Sequence, residues 1–303
     1  MNDIYTWPND LYPLVKKRFD LRYGERMDLI SQVAGIVEQD EIDYRLEGVG
    51  GFGELPEYDG TLKHSDQKRS FITTITPAEH AIATTVSYKK AKVDMSGEAE
   101  KTGTRLADSA YMTVLNSFYR LFQNAFGSTV LADGKSWAAE DHPISTEEGA
   151  PTFSNLIHET LSVSAIAEAQ KLASGFVTPD GLPFASNFDL LLVSPELESK
   201  AKEICGADAK LAPKYNPDGS TFAANPVYGM RYLVVGGGGI GLQGDQWALA
   251  DSMQIAEVLK LVYITKPTVL VATQDNPLVT DYIGYVDYGF GVADARPVIF
   301  SNP

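Results

Sequence analysis

A long amphipathic segment constrains the fold of this chain more than any other feature of its sequence. Between residues 98 and 126, apolar side chains recur at every fourth position: Leu106, Ala110, Val114, Phe118 and Phe122. This spacing places them on one face of an α-helix. At about 1.5 Å per residue, such a helix runs for more than about 30 Å, roughly the diameter of a small domain. The sequence therefore predicts a long structural helix that ends at Gly127.

The residues before this helix are typical of β-structure. The stretch DYRLEGVGGFGELPEYDG is strand-like and then rich in turn residues, and FITTITPAEHAIATTVSYKKAKVD is rich in Thr, Ile and Val with partial alternation. Alternation of this kind predicts strands with one exposed face. The polar segment KHSDQKRS lies between the two stretches, which predicts a long β-hairpin with a charged tip. Such a hairpin is only marginally stable unless it packs on something else.

Residues 1 to about 40 mix aromatic, basic and acidic side chains and form no obvious core of their own. A helix is predicted around Arg26–Gln39. Large apolar groups are numerous for a free tail: Tyr5, Trp7, Tyr12 and Phe19. Either these residues fold back on this chain or they dock on a neighbouring one. The segment also lacks the basic-then-apolar order of a signal peptide.

The rest of the chain mixes helices and strands without a regular order. A second helix is predicted over Asn155–Ala173, and FDLLLV is predicted to be a buried strand. Ser194, Pro195 and Gly206 then mark the N-cap, the first position and the end of a further helix. RYLVV, QWALAD and the final roughly 45 residues are strand-like. The predicted fold class is α+β, because the βαβ alternation of a doubly wound fold is missing.

The charge balance argues against tight binding of nucleic acid. The net charge is −15, whereas a protein that grips phosphates normally carries a basic stripe. Basic residues are densest at two places, neither of which dominates the acidic total: Lys16, Lys17, Arg18, Arg22 and Arg26, and then Lys89, Lys90 and Lys92. No apolar run reaches about 18 residues, so no membrane span is predicted. The single cysteine, Cys205, is expected to be a buried filler.

One glycine-rich stretch has the letters of a dinucleotide-binding loop. Gly236, Gly238 and Gly241 have the spacing GxGxxG after the strand-like RYLVV. A dinucleotide loop must open a helix whose N-terminus holds the pyrophosphate, but LQGDQWALAD comes next, a turn and another strand. The same spacing recurs in GVGGFG, again without a helix. We therefore interpret residues 236–241 as a flexible turn between strands, and a nucleotide-binding enzyme is the less favoured alternative.

Other catalytic signatures are missing from the sequence. His64, His80, His142 and His158 are too far apart for a zinc pair at helical spacing. The EDHP stretch that begins at Glu140 could act as an acid/base cluster, although a loop turn held by hydrogen bonds is the favoured interpretation. No GxSxG, phosphate-loop or EF-hand motif occurs. The sequence therefore predicts that the protein is not an enzyme and has no catalytic residue, cofactor or metal ligand.

The remaining features are structural: an arm without a core, a long hairpin, a long helix and a compact α/β part. An arm and a hairpin of this kind make sense if they complete neighbouring subunits. This favours a homo-oligomer, because each copy then offers both the projecting segment and its docking site.

The order of these elements resembles the major capsid proteins of tailed bacteriophages, which have the Hong Kong 97-type fold. The resemblance covers nearly the whole chain. It rests on GVGGFGELPEYDG to YKKAKVD for the hairpin and on TRLADSAYMTVLNSFYRLFQNAF for the long helix. Further stretches are similar to Mu-type major head subunits: LADGKSWAAEDHPI, FDLLLVSPELESKAKEI, AANPVYGMRYLVV, QWALAD and the closing YGFGVADARPVIFSNP. Each motif alone has low specificity, and the ordered set is fairly specific.

The resemblance implies a division of the chain into five parts. These are the N-terminal arm (1–40), the extended hairpin called the E-loop with its flanking strands (41–96), the peripheral P domain with its long spine helix (97–153), the axial A domain (154–255), and strands that return to the P domain (256–303).

It also implies a structural function. Subunits would self-assemble into hexamers and pentamers of an icosahedral phage head around double-stranded DNA, without sequence-specific binding. Scaffold, portal and decoration proteins are further expected partners. The segment before the hairpin is too short for the scaffolding region of some relatives, which implies either a separate scaffold protein or a chain that is already processed. The expected location is the virion, after assembly in the host cytoplasm. An encapsulin-like compartment shell, which shares the fold, is the alternative.

Contacts between subunits are predicted in the arm, at the hairpin tip and in the glycine turn: Trp7, Tyr12 and Arg18; Lys63, His64, Asp66, Lys68 and Arg69; Gly238 and Gly239. The tip charges are expected to meet an acidic surface of a neighbour and to help set register. Some relatives crosslink a hairpin Lys to an Asn of a neighbour. Lys63, Lys68 and Asn276 are of suitable types, but no motif match transfers that role to them, and no crosslink is predicted.

Overall fold

Seven α-helices and fifteen β-strands make up the part of the chain that the computed structural model describes, which comprises residues 4–26, 28–48, 70–206, 225–273 and 276–303, with Leu55, Glu57, Tyr58, Gly60 and Leu62. The helices are α1 (Trp7–Gly24), α2 (Asp28–Ser31), α3 (Tyr88–Val93), α4 (Met95–Gln123), α5 (Val163–Ala173), α6 (Glu198–Cys205) and α7 (Ser252–Val258). The strands are β1 (Gly35–Glu38), β2 (Tyr44–Glu47), β3 (Ile72–Ile75), β4 (Ala78–Ser87), β5 (His142–Pro143), β6 (Thr152–Phe153), β7 (Leu156–Ile157), β8 (Leu190–Val193), β9 (Arg231–Val234), β10 (Gly236–Gly237), β11 (Ile240–Gly241), β12 (Trp247–Ala250), β13 (Leu259–Thr273), β14 (Val279–Val292) and β15 (Val298–Ser301). This mixture confirms the predicted α+β class.

The long helix is present as α4, which has 29 residues and is therefore about 43 Å long. Its predicted apolar face is buried along its whole length, from Leu106 to Phe122. The helix begins after Asp94, whose carboxylate accepts the backbone N–H of Gly97 at 2.9 Å. Its last residue is Gln123, and Asn124 is the C-cap. The prediction that Gly127 ends the helix is wrong, because residues 124–127 already form turns, in which the N–H of Gly127 donates to the carbonyl of Asn124 at 3.0 Å.

Two sheets pack on α4. The first has the strand order β1-β13-β14-β4, in which β1 pairs with β13 in parallel and the other pairs are antiparallel. The second has the order β7-β15-β12-β8-β9, with parallel pairs at its two edges. Val286 and Tyr288 of the first sheet and Phe300 of the second share one apolar core with Phe118 and Phe122 of α4.

The second sheet is buried on both faces, as the unbroken apolar run of β8 predicts. Leu190 and Leu192 point into the core around α4. Leu191 and Val193, which alternate with them, point into a second core beneath α5 and α6. The sheet thus separates two cores and contributes side chains to both.

Two predicted helices differ from the structure. The helix expected around Arg26–Gln39 is present only as the four-residue α2 (Asp28–Ser31), because residues 35–38 form β1. Backbone pairing of this segment with Lys260–Tyr263 outweighs its local helical pattern. The helix expected over Asn155–Ala173 begins only at Val163, where the Ser162 hydroxyl caps it by accepting the N–H of Ala165.

The base of the predicted long hairpin is confirmed. Strands β2 and β3 pair antiparallel, with Tyr44 opposite Ile75 and Glu47 opposite Ile72. The predicted charged tip, KHSDQKRS, lies mostly outside the described residues. We call the β2–β3 pair the hairpin base and α1 the arm helix.

Candidate functional site

The arm helix folds back on its own chain. Its apolar face consists of four fully buried side chains, Trp7, Leu11, Val15 and Phe19, which share a core with α4 and with the far ends of β13 and β14. The indole N–H of Trp7 donates to the carbonyl of Pro277 at 2.9 Å. Of the two predicted destinations, Trp7 and Phe19 therefore take the intrachain one, whereas Tyr5 is 72% exposed.

A glycine in α4 allows the arm helix to come close. A β-carbon built on Gly103 would lie 2.6 Å from the carbonyl oxygen of Val15 and 3.0 Å from the Cβ of Arg18, so any larger residue would force the helices apart. Polar contacts flank this crossing. The Arg18 guanidinium donates to Thr104 at 3.1 Å, and the guanidinium of Arg22 lies 3.0 Å from the carboxylate of Asp108.

These contacts bear on three predicted inter-subunit residues. Trp7 is fully buried within its own chain, so it has no surface for a neighbour and the prediction is wrong for this residue. Tyr12 donates its hydroxyl to the carbonyl of Val269 at 3.0 Å and remains half-buried, as does Arg18. Both stay predictions.

The hairpin base is held by a much smaller core. Leu46 and Ile75 pack with Val262 and Ala293 in a cluster separate from the three larger ones. By contrast, large apolar side chains on the segment from residue 42 to residue 72 are exposed, with these exposed fractions: Ile42 75%, Leu55 89%, Tyr58 70%, Leu62 76% and Ile72 53%. The predicted contact residues Lys63, His64, Asp66, Lys68 and Arg69 lie outside the described residues.

The glycine run forms a short β-hairpin with a two-residue turn. Gly236 pairs with Gly241 and Gly237 with Ile240, and the turn residues Gly238 and Gly239 have φ of +62° and +83°. Positive φ at both central positions is the type I′ pattern that suits hairpins. The predicted glycine turn is confirmed, and since β12 rather than a helix comes next, no helix N-terminus is available for a pyrophosphate.

This turn is exposed at the C-terminal end of α4. The side chain of Gln123 donates to the carbonyl of Gly239 at 3.4 Å, and so does that of Gln243 at 2.5 Å. Gly238 and Gly239 themselves are exposed, as a contact with a neighbour requires. Their predicted role stays a prediction.

The residues of the EDHP loop act structurally. Buried His142 contacts the Asp133 carboxylate at 2.7 Å through Nδ1 and stacks on Phe153. His158 contacts Glu140 at 3.2 Å. These pairs agree with the favoured interpretation of a loop turn held by hydrogen bonds.

Nothing else in the described residues suggests catalysis. Burial raises the pKa of the Cys205 thiol to about 11, so this thiol is protonated and unreactive at neutral pH. No group of three or more His, Cys, Asp or Glu residues within the described ranges could hold a metal ion. No helix in the same ranges is long and apolar enough to cross a membrane.

Two buried polar residues that tie distant segments together were missed by sequence reasoning. The Asn155 amide donates to the carbonyls of Trp137 at 2.8 Å and Val298 at 3.1 Å. Arg296 pairs with Asp294 at 2.6 Å and donates to two carbonyls from other loops, those of Ile144 and Val177. Apart from Asp294, their partners are backbone carbonyls at least 18 residues away in the sequence, and no local pattern signals such contacts.

Comparison with known proteins identifies the family. A sequence model of the family described as phage capsid protein matches residues 71–299. The chain belongs to this family. No curated protein matches the sequence of this capsid protein significantly.

Solved structures agree with this assignment at the level of the fold. The virus-like particle from Pyrococcus furiosus is similar with a TM-score of 0.57 at 9% identity, over 96% of this chain and 99% of that one. The capsid of the native GTA particle has a TM-score of 0.53 at 12% identity, over 90% and 89%. The capsid of Ralstonia phage GP4 matches at 0.53 and 13%, over 90% of each chain.

These findings confirm the predicted phage major-capsid fold of the Hong Kong 97 type. The similar capsids come from several phages and related particles. The narrower likeness to Mu-type head subunits stays a prediction.

Proposed function

We propose that this capsid protein assembles, without any enzymatic step, into hexamers and pentamers of an icosahedral phage head that encloses double-stranded DNA. The observation that carries the proposal is the exposed apolar surface of the hairpin segment, from Ile42 to Ile72. Five large apolar side chains exposed on one segment favour an interaction site there, because large apolar groups are otherwise mostly buried. Interfaces between the subunits of an oligomer bury apolar surface at their centres.

The five-part division of the chain is part of the proposal. Residues 41–96 act as the E-loop that reaches a neighbour, while 97–153 and 256–303 form the P domain on which it can rest. Residues 154–255 form the A domain around the symmetry axes, and 1–40 form the arm. The two-sheet architecture around α4 supports this division, since the second sheet has its own core beneath α5 and α6.

The charge of the subunit supports DNA packaging without DNA binding. A net charge of −15 repels phosphates, so an inner wall with this sign would let DNA move during filling. We also propose that assembly takes place in the host cytoplasm and that separate scaffold, portal and decoration proteins assist it. The mature protein resides in the virion.

The test is to express the chain, alone and with the proteins encoded beside it, and to image the product by cryo-electron microscopy. Rings and closed shells are expected. A monomer that stays folded and forms neither under any assembly condition would overturn the proposal.

A variant of the hairpin tip sharpens this test. Replacing residues 63–69 with a Gly/Ser segment of equal length should abolish shells and leave the melting temperature of the monomer unchanged, because the charged tip acts only between subunits. Normal shells from this variant would refute the role of Lys63, His64, Asp66, Lys68 and Arg69.

An encapsulin-like compartment shell is the second candidate. The similarity to a virus-like particle from Pyrococcus furiosus favours keeping it. The two functions differ in content, because a phage head filled in its host contains DNA and a compartment shell contains protein cargo. Nuclease-treated particles purified from the host distinguish them by their absorbance ratio at the DNA and protein maxima.

A further inference from the structure

The hairpin base packs tightly against the body of the subunit. Strand β14 runs past the end of β4, since its last pairing with β4 is Tyr288 with Ala78. Beyond this point β3 crosses its face, and the side chain of Ile75 lies over Gly289 and Gly291. Ile75 is only 3% exposed. It fits like a knob into a notch that exists because both residues lack a side chain.

The notch has no spare room. A β-carbon built on Gly291 would lie 2.6 Å from Cδ1 of Ile75 and would also collide with its Cγ1. One built on Gly289 would lie 2.9 Å from Cγ2 of the same side chain. Neither glycine has a positive φ, so the backbone itself would accept alanine there. Packing of Ile75 is the reason for glycine at Gly291, and at Gly289 the backbone of Pro77, 3.2 Å from such a β-carbon, adds to it.

Contacts on the following residues hold the hairpin base against the same strand. The hydroxyl of Thr73 donates to the carbonyl of Val292 at 3.0 Å. A β-carbon on Gly48 would lie 3.1 Å from the carbonyl oxygen of Ala293 and 3.2 Å from Oδ2 of Asp294. The hairpin base therefore rests on residues 289–294, which we call the seat, and on Val262 of β13 beside them.

We propose that Ile75 in its glycine notch is a positioning residue that sets the angle at which the E-loop leaves the subunit, and so where its apolar side chains meet a neighbour. This inference rests on the proposed function. About two dozen residues connect the two strands of the hairpin base. Each half of this connection, about a dozen residues, can extend at most about 40 Å from the hairpin base. A change in the direction of the hairpin base at the seat would therefore change where Leu55 and Leu62 lie relative to a neighbour.

The test is a double-mutant cycle between residues 75 and 291, whose side chains would collide. Gly291→Ala creates the clash, and Ile75→Ala removes both colliding atoms, after which the nearest remaining atom of residue 75 would be its Cβ at 3.6 Å. The matched control is Gly284→Ala in the same strand, where a β-carbon would find ordinary contacts of 3.4 Å and more.

The first measurement is the hydrogen-exchange rate of the Gly48 amide, because this amide donates to the carbonyl of Phe71 at 3.0 Å. The others are the unfolding midpoint of the unassembled subunit and the yield and diameter of shells. Gly291→Ala should speed exchange at Gly48 by roughly tenfold or more, the usual effect of one extra methyl group in a packed contact. It should also reduce the yield of regular shells while leaving the unfolding midpoint close to that of Gly284→Ala. The double variant should recover shells that Gly291→Ala alone loses.

Three outcomes would overturn the inference: normal shells and normal exchange from Gly291→Ala, no recovery in the double variant, or loss of the global unfolding midpoint in step with exchange, which would make the contact an ordinary part of the core. If the wild-type chain forms no shells, the proposed function fails separately, and exchange at Gly48 together with the unfolding midpoint still decides whether the seat holds the hairpin base.

Discussion

The sequence predicts that the arm and the hairpin both project from the body of the subunit, yet the structure places their apolar side chains in opposite environments. The arm buries Trp7, Leu11, Val15 and Phe19 completely against its own chain. The hairpin segment leaves Leu55, Tyr58 and Leu62 exposed. The difference teaches that apolar content alone does not mark an assembly surface: the arm buries its apolar face within the subunit, while the hairpin segment keeps large apolar side chains at the surface.

The largest expected effect is on the arm. Phe19→Ala should lower the free energy of unfolding of the subunit by about 3–5 kcal/mol, because it empties a fully buried aromatic site between α1 and α4. Leu21→Ala in the same helix, where the side chain is 54% exposed, is the control and should cost less than about 1 kcal/mol. Urea denaturation followed by circular dichroism measures both. Equal effects would mean that the arm is not docked in solution.

The close approach of the two helices gives the next effect. Gly103→Ala should destabilise the subunit by about 1–3 kcal/mol, because the new methyl group meets the Val15 carbonyl. Helix propensity acts in the other direction by up to about 1 kcal/mol. The control is Gly24→Ala at the end of α1, where a β-carbon would meet nothing within 4 Å. A Gly103→Ala variant as stable as Gly24→Ala would contradict the observed helix crossing.

The hairpin should respond in the opposite way. Replacing Leu55 and Leu62 with Ser should change the free energy of unfolding of the subunit by less than about 0.5 kcal/mol, because both side chains are exposed. The same variant should lose most of its shells. Particle counts from electron microscopy, beside unfolding curves of the unassembled subunit, measure the two effects. A strongly destabilised subunit with normal shells would reverse the comparison.

The polar contacts of the arm should give the smallest effect. Asp108→Asn removes the partner of Arg22 and Arg26, both partly exposed to solvent, and exposed ion pairs contribute little. The melting temperature should fall by less than for Gly103→Ala, and the difference from wild type should vanish in about 1 M salt. A salt-independent loss as large as that of Phe19→Ala would mean that charge, not burial, docks the arm.

Periodicity and capping signals were sufficient to predict much of the fold. The apolar face of α4 and the unbroken run of β8 depend on local patterns, which a sequence displays directly. Ser194 is another such signal, since its hydroxyl accepts the N–H of Leu197 at 3.3 Å and caps the 3-10 helix Pro195–Leu197 that leads into α6. The glycine turn at residues 238 and 239 was also predictable, because the strand-like QWALAD soon after it leaves no room for a helix.

Long-range pairing explains the failures. Residues 35–38 form a strand only because β13, more than 200 residues later, offers an edge to pair with. Trp7 is buried because the β13–β14 hairpin provides Pro277 and a core around it. The seat was invisible for the same reason: nothing near Gly289 and Gly291 in the sequence says that Ile75 lies on top of them.

The position of β15 has a consequence for how the protein is made. This strand lies inside the second sheet, between β7 and β12, and Asn155 donates to the carbonyl of Val298 within it. The ribosome delivers β7, β8 and β12 first, and β7 has no partner strand in this sheet until β15 follows. Pairings of such long sequence separation form slowly. A nascent chain therefore cannot complete the sheet between its two cores until residues 298–301 have emerged.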